Sequence, residues 1–203
     1  MELLFVIIIG YFIGNIPFSY IFTKIFTQRD IRMMGSGNVG ATNAFRSGGN
    51  LAGILSLLAD MLKGFISAWA GLNLGGEAGT VLASLAVVIG HCYPLLLKFK
   101  GGKGVASVGG VVIFLMPHLI LPLAVIFFAI MFISRFVSLS SMGAAFFLPF
   151  LAFYSAQTWH YCVMALILAV FLIYKHKENI KRLREGNENT IKWIDKMFDS
   201  QNF

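Results

Sequence analysis

Two short stretches of this 203-residue chain concentrate the groups that bind anions. The first, GSGNVGATNAFRSGGN at 35–50, holds five glycines, three asparagines, two serines and one cation, Arg46. Gly35, Gly37 and Gly40 let backbone N–H groups converge on an anion, and a helix that follows would add its positive end. Ser36, Asn38, Thr42 and Asn43 add neutral donors. Arg46 adds a planar fork that matches phosphate oxygens. A plain linker has no need of asparagines at this spacing ending in arginine. The second stretch is Lys98-Phe-Lys100-Gly-Gly-Lys103-Gly104, just before an apolar run. It reads as a second anion site at a helix N-terminus. A membrane anchor would explain the lysines but not Gly101, Gly102 and Gly104.

The spacing Gly35-x-Gly37-x-x-Gly40 also fits a dinucleotide fingerprint, with Asp60 where the ribose acid would fall. That fingerprint needs a preceding strand and a βαβ unit. Here an apolar helix precedes it, and Asp60 lies inside the next one, so the nucleotide reading fails. Other polar residues offer alternatives. On a helix, His176, Asn179 and Leu183 share a face, where His176 can be a phosphate ligand or a base. The surrounding basic tail reads equally as a lipid-headgroup anchor. Asp60 and Lys63 share a helix face within an apolar run, which favours a structural ion pair over a substrate role. His91 is either a ligand or a satisfied polar group. Ser138, Ser140 and Ser141 either cap a helix or donate to a ligand. There is no GxSxG elbow, no HExxH, no acidic pair suited to Mg²⁺, and no His-x₄-Asp pair. Cys92 and Cys162 lack metal-ligand spacing and read as small buried thiols. No metal or cofactor is expected, and nothing calls for a nucleic acid or an obligate protein partner.

The elements that must position these residues are membrane helices. Hydrophobic residues make up 58% of the chain, charged ones 12%, and the mean hydropathy is +0.79. A soluble domain carries about twice that charged fraction. Met1-Glu2 offers no basic leader, so the first apolar run reads as a retained helix. Candidate spans are 3–22, 51–74, 78–97, 105–116, 118–133, 139–154 and 159–174. Several are shorter than the roughly 20 residues a span needs and could be thin or re-entrant. Pro117 and Pro122 could mark a turn between two helices or a kink in one. With seven spans and an outer N-terminus, every Lys and Arg except Lys63 falls on the inner side. Six spans would break the positive-inside pattern. The sequence therefore predicts an all-α membrane protein of seven transmembrane helices, N-terminus outside, C-terminus cytoplasmic. It reads as a single domain over 1–203 with a polar tail from about 175, where 179–183 with 191–194 suggests a surface helix. Both glycine stretches, the serines and the tail share the inner face. His118 and His160 fall on the outer side and are assigned no catalysis.

Five segments together resemble one family, the acyl-phosphate:glycerol-3-phosphate acyltransferases of bacterial membranes (PlsY). They are GSGNVGATNAFR (35–46), DMLKG (60–64), GHCYPLLLKFKGGKGVA (90–106), SRFVSLSS (134–141) and HKENIKRLREGNE (176–188). The resemblance implies a multi-pass enzyme of the bacterial cytoplasmic (inner) membrane with its active site facing the cytoplasm. Its implied reaction moves an acyl group from acyl phosphate to the 1-hydroxyl of glycerol 3-phosphate, giving lysophosphatidic acid and phosphate. It implies a polar site of Ser36, Arg46, Lys103, Ser141, His176 and Asn179. Gly35, Gly37, Gly40, Gly101, Gly102 and Gly104 would let the loops approach phosphate, with Asn38 among the donors. His91 and Glu188 match family positions as supporting residues. The proton of the attacking hydroxyl can go to His176 or to the departing phosphate. The competing class is a transporter or flippase for a phosphorylated lipid or metabolite. That class needs polar groups at mid-depth or on both faces, and only Asp60 and Lys63 are deep here. A membrane phosphatase lacks a nucleophile or metal site.

Overall fold

The computed structural model describes residues 1–155 and 158–190. Over these residues the chain is helical, and it divides into two compact units, Met1–Pro117 and His118–Phe203.

The first unit begins with α1 (Glu2–Asn15) and α2 (Phe18–Thr27). The sequence reads 3–22 as one span. The structure interrupts it at Ile16-Pro17, because proline lacks an N–H and disfavours helix in the residue before it. Ile16 is accordingly extended, with φ −66° and ψ 113°. After a 3₁₀ turn at Ile31–Met33, α3 runs over Ala41–Cys92 but departs from helical backbone at Gly49, Gly75 and Gly76. At Gly76 φ is +60°, which glycine adopts without strain. The chain reverses there. A Cβ on Gly71 would lie 2.5 Å from the Gly79 carbonyl oxygen, so the arms 50–74 and 77–92 lie back to back.

Small residues build this unit's helix contacts, as membrane packing requires. A Cβ on Gly10 would meet the Ala83 carbonyl oxygen, and one on Gly14 the Val87 carbonyl oxygen. Thus α1 lies on the arm 77–92. In the same way Gly64 meets Ser107, and Gly110 meets Met61, which seats α4 (Val105–Leu115) on the arm 50–74. Pro94 stops the second arm at Cys92 rather than at residue 97, and a 3₁₀ turn covers Leu95–Leu97. A second 3₁₀ turn, Pro117–Leu119, ends the ambiguity around Pro117: two helices occupy 105–134, not one.

The second unit packs α6 (Val137–Tyr154) between α5 (Ile120–Ser134) and α7 (Trp159–Lys175). The chain bends by 51° after α7 into the short α8 (Lys177–Arg184). The expected surface helix is therefore present over 177–184, while 191–194 lies outside the described residues.

Among the described residues, four helical runs are long and apolar enough to cross a membrane. They are Glu2–Thr27, Ala41–Leu97, Pro117–Ser134 and Val137–Tyr154. Counted as one span, the bent pair formed by α7 and α8 would make a fifth. At 1.5 Å per residue, the 11 residues of α4 reach only about 16 Å.

Candidate active site

In the first unit the loop 34–40 is shaped from beneath by Asn43, which is buried. Its Nδ2 donates to the carbonyls of Ile31 (3.2 Å), Met34 (3.0 Å) and Asn38 (3.0 Å). Its Oδ1 accepts the Ser36 N–H at 2.9 Å. The sequence reading made Asn43 a donor to an anion. The structure makes it scaffold, because its amide is spent holding the loop. Two loop amides are also used internally, since Gly37 N–H donates to the Met34 carbonyl at 2.9 Å. Gly35 and Gly37 instead supply shape. Their φ values are +56° and +70°, and a Cβ on Gly35 would strike Asn43 Oδ1. Gly40 is the extended N-cap of α3 and brings no side-chain cap. The amides of Ala41 and Thr42 open the helix and have no partner within it. Arg46 lies one turn after Thr42, on the same face and exposed.

The second loop is laid against the end of arm 77–92. Gly101 N–H donates to the Cys92 carbonyl (3.3 Å) and Gly102 N–H to the His91 carbonyl (3.1 Å). Lys98 and Phe99 both take positive φ, +53° and +62°, a conformation that costs about 1–2 kcal/mol per residue. Their N–H groups donate to Leu95 and Pro94 carbonyls, at 3.0 and 2.9 Å, which hold the turn. Lys103 is half-buried between Gly102 and Gly104, the N-cap of α4. The two glycine loops touch: a Cβ on Gly102 would lie 2.5 Å from the Val39 carbonyl oxygen. Ile31, Val39, Ala44 and Leu97 form a small core that ties the two loops together.

Below the loops is the deep charge cluster. Lys63 Nζ lies 2.8 Å from Asp60 Oδ1 and donates to the carbonyls of Gly14 (3.1 Å) and Ile16 (3.2 Å). The structural ion pair expected from sequence is present. His91 Nδ1 joins at 3.4 Å from Asp60 Oδ1, and Ser19 Oγ donates to Asp60 Oδ2 at 3.4 Å.

In the second unit His176 occupies the bend between α7 and α8 and is buried. Its Nδ1 is 2.8 Å from the Leu172 carbonyl oxygen. A carbonyl only accepts, so Nδ1 carries the hydrogen, and Nε2 is the basic nitrogen of the neutral ring. Asn179 Nδ2 donates to Glu188 Oε1 (2.7 Å), Ser138 Oγ to the same oxygen (2.9 Å), and Arg182 Nε to Oε2 (2.8 Å). Burial pushes the Glu188 carboxyl up, but the hydrogen bonds from Asn179, Arg182 and Ser138, with the Arg182 charge, hold it below the ordinary glutamate value.

The end of α8 explains how Glu188 reaches this position. Gly186 (φ +70°) donates to the Leu183 carbonyl and Asn187 N–H to the Arg182 carbonyl. This is a Schellman turn, which folds the chain back over its own helix. The serines do not cap α6, which begins at Val137 and so contains them. Ser140 and Ser141 donate to the carbonyls of Phe136 and Val137, both at 2.8 Å. The sequence reading left Arg182 and Ser138 without this role. The signal lay in the i,i+3 spacing of Asn179 and Arg182 and in Gly186 as a helix stop.

Comparison with known proteins agrees across most of the chain. A family model for glycerol-3-phosphate acyltransferase matches residues 4–186. The glycerol-3-phosphate acyltransferase of Syntrophomonas wolfei is 45% identical over 185 residues, spanning 91% of this chain and 95% of that one. The crystal structure of PlsY, an integral membrane glycerol 3-phosphate acyltransferase, in its glycerol 3-phosphate form matches with a TM-score of 0.90. It is 36% identical and covers 98% of this chain and 100% of that one. The lysophosphatidic acid form matches at 0.86, with the same identity, over 94% and 96%.

Proposed function

This chain belongs to the glycerol-3-phosphate acyltransferase family, and on that premise we propose that its acyl donor is an acyl phosphate. The 1-hydroxyl of sn-glycerol 3-phosphate attacks the acyl carbonyl carbon, and the bond from that carbon to the phosphate oxygen breaks. The products are 1-acyl-glycerol 3-phosphate (lysophosphatidic acid) and inorganic phosphate. The observation that carries this reading is the meeting of two glycine loops in the first unit, with the Val39 carbonyl against Gly102. Two adjoining cradles, one bearing Arg46 and the other Lys103, suit a reaction in which both substrates are phosphates.

An acyl phosphate is already activated, so no covalent intermediate is needed. The protein's task is to hold two anions together in attack geometry. Arg46 and Lys103 would offset their repulsion and the charge that builds on the leaving phosphate. The Ala41 and Thr42 amides, with Ser36 and Asn38, would complete the first cradle. Within the second unit Ser141 spends its hydrogen on Val137 and keeps an oxygen that would accept from a hydroxyl, and Glu188 would hold Asn179 in place as a polar group. The departing phosphate would take the hydroxyl proton, being basic enough near neutrality.

We also propose seven membrane crossings with the N-terminus outside and the C-terminus cytoplasmic, in a single functional domain of the bacterial inner membrane. Ala41–Leu97 would contribute two crossings because its arms reverse at Gly75-Gly76, and Val105–Leu115 and Trp159–Lys175 one each. Both glycine loops would then face the cytoplasm. A transporter would use its deep charges to carry cargo. Here Asp60 and Lys63 are locked to each other and to the α1–α2 break.

Purified protein given palmitoyl phosphate and glycerol 3-phosphate should form lysophosphatidic acid, and absence of product would overturn the proposal. Lys103→Ala should lose about 10³-fold in kcat/KM, the scale of a lost charge-stabilising contact. His176→Gln should cost less than about tenfold in kcat, whereas a loss of about 10² or more would move the proton to His176.

A further inference from the structure

We propose that Asp60, Lys63 and His91 form a positioning device that fixes both glycine loops for phosphate binding. The proposal rests on the reading of those loops as phosphate cradles. His91 is the shared part. Its Nδ1 faces Asp60 at 3.4 Å, its carbonyl accepts the Gly102 N–H at 3.1 Å, and its Nε2 lies where a Cβ on Gly102 would be. Gly102 must therefore be glycine for His91 to reach the loop. The carbonyl of Val39, from the first loop, closes the other side of Gly102.

The device has a fixed base. Lys63 holds Asp60 at 2.8 Å and is itself held by the Gly14 and Ile16 carbonyls at the Pro17 break. Ser19 from α2 donates to the second Asp60 oxygen. A small cavity of about 10 Å³ lies between the charges and the loops, bounded by Ser19, Asp60, Lys63, His91, Val39 and Gly101. That is room for about one water. One residue from each loop thus borders the cluster directly.

Stability alone does not explain the arrangement. A buried ion pair is often no more stabilising than apolar residues of similar volume. It does impose fixed donor and acceptor directions, which an apolar core does not. Those directions place His91, and His91 fixes Gly102, the residue that precedes Lys103.

The test separates geometry from folding. Asp60→Leu/Lys63→Met replaces both charges by apolar side chains, and His91→Gln leaves the Asp60–Lys63 pair intact. Each full-length variant is purified, its Tm measured, and KM and kcat determined with palmitoyl phosphate and glycerol 3-phosphate. The double variant should keep its Tm while KM for at least one substrate rises by about tenfold to a hundredfold, with kcat changing less. His91→Gln should show the same split, and it decides the matter if the double variant does not fold. Wild-type kinetics, or a loss confined to kcat, in whichever variant folds overturns the proposal. Lys103→Ala serves as control. If it keeps wild-type activity, the phosphate reading of the loop fails, whatever the His91 variant does.

Discussion

Each unit buries a carboxylate, and the two solve the same problem with different materials. In the first unit Asp60 faces Lys63, His91 and Ser19, which come from α2 and from both long arms of α3. In the second unit Glu188 faces Asn179 and Arg182, both within nine residues, and Ser138 from α6. Both carboxylate side chains are covered, at 2% and 4% exposure, but Asp60 is buried as a residue and Glu188 only half-buried. Their cations differ more. Lys63 is 2% exposed and Arg182 30%. If the acid is lost, Arg182 can turn to water and Lys63 cannot. How far the partner charge can retreat, together with the depth of the acid, sets the energetic weight expected of each site.

The largest effect expected is therefore from Asp60→Ala. It strands Lys63 among apolar arms and should cost about 3–5 kcal/mol, read as a large fall in Tm or as loss of folded protein in detergent. A cost under about 1 kcal/mol would break the comparison. Glu188→Ala should cost less, about 1–3 kcal/mol, because the stranded groups are the donors of Asn179 and Ser138 while Arg182 rehydrates. Activity should fall with it, since Asn179 loses its anchor. If both substitutions cost the same, the exposure of the partner cation is not what matters. Gly186→Ala is smaller still. Nothing lies within 4 Å of the added carbon, so only the φ of +70° resists it, at about 1–2 kcal/mol. It should loosen the Schellman turn and reproduce a weaker version of the Glu188→Ala phenotype, measured by Tm and kcat.

The same contrast governs what could be read from sequence. The break at Gly75-Gly76, between two apolar runs, is legible from its local cause, whereas Pro117 alone leaves a turn or a kink open and the distribution of Lys and Arg decides for the turn. Pro17 is just as visible, but the apolar residues that continue on both sides of it make 3–22 read as one span. Its consequence, two carbonyls offered to Lys63, involves residues 47 and 49 positions away, and no periodicity carries that. Residue type told which side chains can bind an anion but not where they point. Hence Asn43 was read as a ligand donor and is scaffold, and Ser140 and Ser141 were read as possible caps and bond the preceding turn. The Glu188 network is nearly all local, and its parts were visible as a spacing and a helix-stopping glycine. The Asp60 network is tertiary, and only its i,i+3 ion pair could be seen beforehand.

The smallest effect concerns protonation, and it tests the shallow site without altering its shape. The folded-state pKa of Glu188 lies below its ordinary value. A depressed carboxyl adds stability that is fully present above the unfolded-state pKa and is lost as the pH falls through the folded one. Neutralising Glu188 leaves the side chain in place, still able to accept from Asn179 and Ser138 through its remaining lone pairs. The loss should therefore be smaller than that of Glu188→Ala. Asp30, paired with Arg32 at 2.6 Å, is also depressed, so acid weakens more than one contact in the same range. Glu188→Gln removes that ambiguity, because it has no charge to lose at this site. The Tm difference between wild type and Glu188→Gln should be constant from neutral pH down to the ordinary glutamate range, then narrow below it. A gap that stays constant through that range would mean the carboxylate charge contributes nothing beyond its hydrogen bonds. The second unit would then differ from the first in kind and not only in degree.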